Sequence, residues 1–519
     1  MRLPERPVIS GFHPDPSVCR VGSIYYLVCS SFEYAPGVPL FRSEDLRTWQ
    51  KIGHVLDRPS QLALDRAGPS GGIFAPTLRY HDGRLWMITT NFSDRDGMLL
   101  VTADDPSGPW SDPVWIDTPS GVDPDLAWDE DGTCLVTWSG VDDVGRTVIR
   151  QVPVDPVAGK VLGEPRQLWS GTGGKYPEAP HLYQIGDHWY LVVAEGGTDR
   201  GHAVTVARGP SPAGPFEPCP HNPVLTARGL DTPVQNTGHA DLVRRSDGSW
   251  AMVFLGVRAR GGTPHWHVLG RETFACEIVW DDDGWPRAGE PVEPPYGGRP
   301  EEHEELTAGD LPLSWVAAGG FPADVLGPDE GGVRRLTARG GSGRTFVGRR
   351  QEHFTMTARA SLDLAASHGV GGLELRVDHR HAVTVEAGDG TVRAVATIGE
   401  ARAVLGALSV SELAVGEPPS GEPAAGEPPS VPRVTLELRT VEPSGPSPAH
   451  IPGPDEIVAG VVGPEGFREL GRLDGRYLST EVAGGFTGRM VGLTCARGEL
   501  AVTSFTYRGT DGPEGAPAG

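Results

Sequence analysis

Apolar and polar residues alternate in short runs bounded by turn residues, and five such stretches align with one another. They read "DPSVCRVGSIYYLVCS", "APTLRYHDGRLWMITT", "DPDLAWDEDGTCLVTW", "APHLYQIGDHWYLVVA" and "HADLVRRSDGSWAMVF". Each is a short strand, a turn that usually holds glycine, and a second, more apolar strand. Their starts recur about every 50–60 residues, close to the size of a four-stranded propeller blade. "SEDLRTW", "ADDPSGPW" and "ARGPSPAGPF" follow three of them, where a later strand of the blade would end. The pattern predicts a five-bladed β-propeller over roughly residues 1–300. After a connector rich in Pro, Gly and Glu, alternation resumes in "FTMTARASLDL", "GLELRVD", "AVTVEAG" and "VRAVATIG", which predicts a β-sandwich over about 312–510. Inside it, "AVGEPPSGEPAAGEPPSVP" is too polar and proline-rich to pack, and a disordered insertion is expected at about 413–432. The final "GTDGPEGAPAG" reads as a loose tail.

Composition narrows the function classes. The 519 residues exceed one ordinary core, and 72 Gly with 49 Pro suit a turn-rich all-β protein. A formal charge of -23 repels nucleic acid and anionic membranes. The beginning "MRLPERPVISGF" lacks the apolar run of a signal peptide, and nowhere do about 18 apolar residues run together as a spanning helix needs. The expectation is a soluble cytoplasmic protein with neither a nucleic-acid nor a membrane partner, and homo-oligomer formation stays open. Six cysteines without CxxC or zinc-ligand spacing are expected as buried free thiols.

The repeat alignment brings distant acids together. In "HPDPS" Asp15 stands between Pro14 and Pro16, which keeps it out of a helix and in an extended or turn conformation. At its position the five repeats carry Asp15, Ala75, Asp123, Ala179 and His239, and proline follows in four of them. First strands of propeller blades line the central channel, so Asp15, Asp123 and His239 converge, with Glu178 one residue ahead of the same ring. Two carboxyl groups, one protonated and one ionised, suffice for glycoside hydrolysis, and a third nearby raises the donor's pKa. The same acids suit a hard cation, so a structural calcium on the axis is compatible with them. Without a DxDxDG loop or an HExxH helix no catalytic metal and no cofactor is expected.

The stretches "PVISGFHPDPSVCR", "GVDPDLAWDEDG", "YPEAPHLY", "TGHADLV" and "LGRETF" resemble the β-xylosidase branch of glycoside hydrolase family 43. The resemblance implies a five-bladed propeller catalytic domain followed by a concanavalin-like β-sandwich, and inversion at the anomeric carbon. It makes Asp15 the general base, Glu178 the general acid and Asp123 the group that tunes the acid. His239 would sit beside the base, and Arg271 would bind the sugar and steady the carboxylates. Phe486, in "GGFTGRMVGL", would come from the sandwich and narrow the pocket. The family's "WAP" is "FAP" here, so Phe74 replaces a tryptophan of the sugar wall, and its "EGPH" is "EAPH". Phe32 is a second candidate for that wall. The implied activity is release of xylose from non-reducing ends of short β-1,4-xylo-oligosaccharides. The alternatives are α-L-arabinofuranosidase or dual activity on arabinose-bearing oligosaccharides, and a non-catalytic carbohydrate-binding propeller.

Overall fold

Five hairpins begin the blades of the first unit, and each turns on a glycine in the left-handed region. These are Gly22, Gly83, Gly132, Gly186 and Gly248, with φ of 62°, 75°, 84°, 60° and 90°. A side chain is crowded against the backbone carbonyl at these angles, which is why the repeat carries glycine at its turn. The computed structural model describes residues 2–295, 302–305 (backbone only), 309–340, 345–413, 433–443 and 451–511. Beyond Leu413 the expected insertion lies outside the described residues, as does the tail beyond Asp511.

The chain forms two compact units, residues 1–258 with 271–295, and residues 259–270 with 296–519. In the first unit every blade is antiparallel and runs outward in chain order. Blade 1 is Ser17–Val21, Ile24–Val28, Gly37–Ser43 and Gln50–Leu56; blade 2 is Thr77–His81, Arg84–Thr89, Met98–Ala103 and Val114–Ile116. Blade 3 starts with Val122–Trp128, Cys134–Val141 and Thr147–Asp155, blade 4 with Glu178–Ile185, His188–Glu195 and Ala203–Gly209. Blade 5 is Val234–Arg244, Trp250–Arg258, Glu272–Trp280 and Pro286–Val292. This is the five-bladed propeller that the repeats predict. Alternate side chains of neighbouring blades meet in apolar seams, for example Val18, Tyr25 and Leu27 with Val243, Ala251 and Val253 between blades 1 and 5. None of the six cysteines is in a disulfide, and all are buried. Among the described residues no helix is long and apolar enough to cross a membrane.

A polar network links the five innermost strands. Two residues beyond each position of the aligned ring stand Ser17, Thr77, Asp125, His181 and Asp241, one layer deeper on the same strand face. Arg79 lies between two of them, with Nη2 at 2.6 Å from Asp125 Oδ1 and Nη1 at 2.8 Å from Asp241 Oδ2. Asp241 also accepts from the Ser17 hydroxyl at 2.6 Å, the Val18 amide at 3.0 Å and the Tyr183 hydroxyl. Asp125 accepts from the Leu182 amide at 2.9 Å and meets His181 Nδ1 at 3.2 Å. Both carboxylates are fully buried. Burial works against the charge on Asp241, yet Arg79, His181 and these hydrogen bonds hold it far below the usual carboxylate range.

The second unit has two antiparallel sheets. One runs Val316–Ala318, Thr345–Arg350, Met490–Arg497, Val370–Asp378, His381–Gly388, Thr391–Ile398, Ala401–Ser409. The other runs Glu302–Glu305, Glu499–Thr510, Thr355–Asp363, Arg433–Val441, Glu456–Gly463, Gly466–Asp474. Leu373, Leu375, Val385 and Leu493 of the first share one core with Leu436, Leu438, Val461 and Phe505 of the second, which makes a sandwich. The excursion 259–270 belongs to this unit through contacts its sequence does not announce. The Gly262 amide donates to the Pro452 carbonyl at 2.9 Å, and His267 Nδ1 lies 2.6 Å from Glu481 Oε1.

Removing one partner of a buried ion pair leaves a bare charge, at a cost of about 3–5 kcal/mol. Arg79→Met strands both Asp125 and Asp241, so its denaturation midpoint should fall by that equivalent, or the protein should fail to fold. Arg84→Met, which breaks the exposed Arg84–Asp104 pair at 2.9 Å, should cost well under about 1 kcal/mol. Equal losses in the two variants would mean that the axial network does not hold the blades.

Candidate active site

The aligned ring is a ring of strained backbone. Asp15, Asp123, Ala179 and His239 all take left-handed φ, at 56°, 55°, 51° and 49°. Three of the four precede proline, a position that ordinarily favours extended backbone, and Asp15 takes the turn rather than the extended alternative expected for it. Strand pairing breaks register between Val122 and Asp125, between Glu178 and His181, and between Gly238 and Asp241. Each break is a bulge that re-aims one side chain into the channel mouth while the strand continues beneath it. Such conformations cost about 1–3 kcal/mol each and persist only where their surroundings over-determine them.

Asp15 is held from several sides. Its Oδ1 is 2.8 Å from Arg271 Nη1 and its Oδ2 3.4 Å from Arg271 Nη2. The Ser30 hydroxyl donates to Oδ2 at 2.5 Å, and His239 Nδ1 lies 3.5 Å from Oδ1. Blade 5 is tied to this segment by the His13 amide on the Arg271 carbonyl at 3.1 Å and the Thr273 hydroxyl on the His13 carbonyl at 2.7 Å. Burial opposes the Asp15 charge, but Arg271 and the Ser30 hydrogen bond prevail and its pKa is lowered. Asp15 is therefore ionised. His239 stays neutral, pushed down to about 3 by burial.

The other two acids are shifted the opposite way. Burial and then the charge of Asp15 push Asp123 up to about 7, while burial, Asp123 and Asp15 push Glu178 up to about 8. The Ala179 amide donates to Asp123 Oδ2 at 3.1 Å, a bond that favours the ionised form of Asp123 and leaves the shared proton to Glu178. One carboxylate and one carboxylic acid thus stand in one pocket near neutral pH.

The candidate aromatic wall is a row of three rings. Phe32 and Phe74 meet edge to face at 5.2 Å, and Phe74 and Phe92 at 4.8 Å. Phe32 is buried, with the Arg271 guanidinium 5.9 Å above its ring, whereas Phe74 is half-buried and Phe92 is exposed. Phe486 belongs to the second unit, where it follows the left-handed Gly484 and Gly485 and is exposed.

The sequence reading missed several groups beside these. Ser30 on Asp15, Thr198 at 3.3 Å from Arg271 Nη1, Phe92, and His202 at 3.8 Å from Glu178 lie outside the repeat phase on which that reading relied. The pair Gly196–Gly197, both left-handed and close before His202, was the available signal for a shaped loop there. Among the described residues no three His, Cys, Asp or Glu side chains are grouped to hold a metal ion, and the carboxylates on the axis are paired with Arg79.

Residues 4–286 match the sequence profile described as Glycosyl hydrolases family 43. A non-reducing end alpha-L-arabinofuranosidase of Bacteroides ovatus is 39% identical over 72% of this chain and 74% of its own length. A xylosidase/arabinosidase of Butyrivibrio fibrisolvens is 44% identical over 60% of each chain. The solved xylan beta-1,4-xylosidase of Bacillus halodurans C-125 superposes with a TM-score of 0.81 at 28% identity, covering 98% of this chain and 100% of that one.

Ala179 stands where glycine would hold the left-handed backbone without strain. Ala179→Gly should raise stability by about 0.5–1 kcal/mol, the relief of strain less the greater flexibility of glycine in the unfolded chain. Calorimetry checks this, and a lower midpoint would mean that the buried methyl contributes more than the strain costs.

Proposed function

The chain belongs to glycosyl hydrolases family 43, and from that premise we propose that it is an inverting exo-glycosidase releasing xylose from the non-reducing ends of short β-1,4-xylo-oligosaccharides. One observation carries the reading: two carboxyl groups of opposite protonation, Asp15 and Glu178, in one propeller mouth. Ionised Asp15 takes a proton from a water that attacks the anomeric carbon. Glu178 gives its proton to the departing glycosidic oxygen, and the single displacement inverts the centre. Asp123 keeps Glu178 protonated through its charge. Arg271, His239 and Ser30 fix the base, and Phe74 and Phe92 offer the sugar an apolar face.

Activity on α-L-arabinofuranosides is the second reading. It is favoured by the Bacteroides and Butyrivibrio relatives, whose names carry that activity. Six buried cysteines outside any disulfide suit a reducing compartment, and we place the reaction in the cytoplasm. Release of nitrophenol from paired xyloside and arabinofuranoside substrates decides between the sugars, and turnover of neither would return the chain to a binding role.

The two acids should separate by leaving group. Glu178→Ala should lose xylobiose hydrolysis by about 100-fold or more while keeping much of its rate on an activated aryl xyloside, whose leaving group departs with little help. Asp15→Ala should lose both substrates together. The same dependence in both variants would refute these roles.

Rate should fall on the alkaline side as Glu178 loses its proton near about 8. Asp123→Asn removes a negative neighbour, so Glu178 ionises more readily and the alkaline limb moves to lower pH. An unmoved limb in a folded, active variant would deprive Asp123 of its tuning role.

A further inference from the structure

His202 is a buried histidine that the steps above do not use. It lies in the first unit just before the strand Ala203–Gly209, and its side chain is wholly buried. Its Nδ1 is 3.0 Å from the backbone carbonyl of Asn236, an acceptor only, so the proton sits on Nδ1 and Nε2 presents a lone pair. That lone pair has no hydrogen-bond partner. The nearest acidic oxygen is Glu178 Oε1, at 3.8 Å. Gly238 explains how the ring is held: a Cβ there would fall 2.4 Å from His202 Cε1, so the glycine of "TGHAD" lets the imidazole lie on the blade 5 backbone.

We propose that His202 is a positioning residue for the acid, its Nε2 accepting a hydrogen bond from the protonated oxygen of Glu178 in the empty pocket. A turn of the carboxyl group that shortens the gap by about 1 Å makes the bond, and apo sites commonly hold such bonds open. An acceptor for the carboxylic O–H stabilises the neutral acid and disfavours the carboxylate, which would have nothing to donate to this lone pair. When substrate arrives, the same O–H turns from Nε2 to the glycosidic oxygen. The imidazole suits the task because it remains neutral, pushed down to about 4 by burial and by Arg271. Asp123, Asp15 and Arg271 are the charged groups that face Glu178, and Arg271, Asp15 and Asp199 those that face His202.

This inference rests on the assignment of Glu178 as the acid. The test is the pH dependence of kcat/KM on xylobiose for wild type, His202→Leu and His202→Gln. Leucine removes the acceptor, so the alkaline limb should move down by about one pH unit, a loss of about fivefold at pH 8 with little change at pH 5.5. Glutamine keeps a carbonyl acceptor and should restore the limb. A merely structural role would lower the rate at every pH and leave the limb in place, which overturns the proposal. Should the leucine variant not fold, the ¹⁵N shift of His202 Nε2 in wild type must follow the titration of Glu178 and lose that step in Glu178→Ala; a shift that ignores Glu178 overturns the proposal equally. If Glu178→Ala slows xylobiose and an activated aryl xyloside alike, the acid assignment itself fails. If it spares the aryl xyloside while the His202→Leu limb stays put, only the role of His202 falls.

Discussion

The guanidinium of Arg79 between Asp125 and Asp241 is the interaction from which the rest of the first unit follows. The innermost strands of the five blades converge on one axis, and the side chains they send there must suit one another. Here one cation and two carboxylates fill that axis, and each carboxylate takes further hydrogen bonds from neighbouring strands. A buried ion pair seldom adds net stability over an apolar core of the same shape, but it does specify which strands stand together. Arg79 comes from blade 2, Asp125 from blade 3, Asp241 from blade 5, Ser17 from blade 1, and His181 and Tyr183 from blade 4. The mouth of the channel is shaped only once all five are in register.

The reactive layer sits two residues above this plug on the same strands, and it depends on the plug for its strain. A residue forced into left-handed backbone before proline would relax if the strand beneath it could slide. With Ser17, Asp125, His181 and Asp241 pinned, the bulges at Asp123, Ala179 and His239 and the bend at Asp15 have nowhere to go. The result is a set of side chains aimed across the mouth. Backbone amides are re-aimed with them, and the Ala179 amide reaches Asp123 for that reason. Scaffold and chemistry are thus two layers of one pattern, read at alternate positions along the strand.

The repeat made the blades and the convergence of Asp15, Asp123, Glu178 and His239 legible, since equivalent positions in radial repeats must meet. It made the turn glycines legible too. The deeper layer was equally present in the quoted segments, in the Asp of "PDLAW" and "HADLV" and the Arg of "TLRYH", yet periodicity alone does not say that a polar residue on an inner strand faces its partners on the axis. Left-handed backbone at Asp15 was hidden because proline on both sides argues for extended geometry, and only the tertiary pinning overrides that preference. Ser30, Thr198 and His202 were not legible, because each lies on a loop or an adjoining strand whose place is fixed by contacts distant in sequence. The excursion 259–270 was unreadable for the same reason.

What finally separates Asp15 from Glu178 is not their intrinsic chemistry, since all three carboxyl groups share one mouth and burial raises each of them. Burial alone would leave three neutral acids and no base. Arg271 breaks the tie by sitting against Asp15 and supplying a full positive charge, with Ser30 adding a hydrogen bond on the same carboxylate. Once Asp15 is ionised, its own negative charge acts on the remaining two and pushes them further up. The amide of Ala179 then favours ionisation of Asp123 over Glu178, so the last proton settles on the group with the more exposed side chain, 24% against 8% for the Asp123 residue. One arginine therefore sets the order in which the pocket fills with protons, and the strained backbone at Ala179 decides which acid keeps the last one.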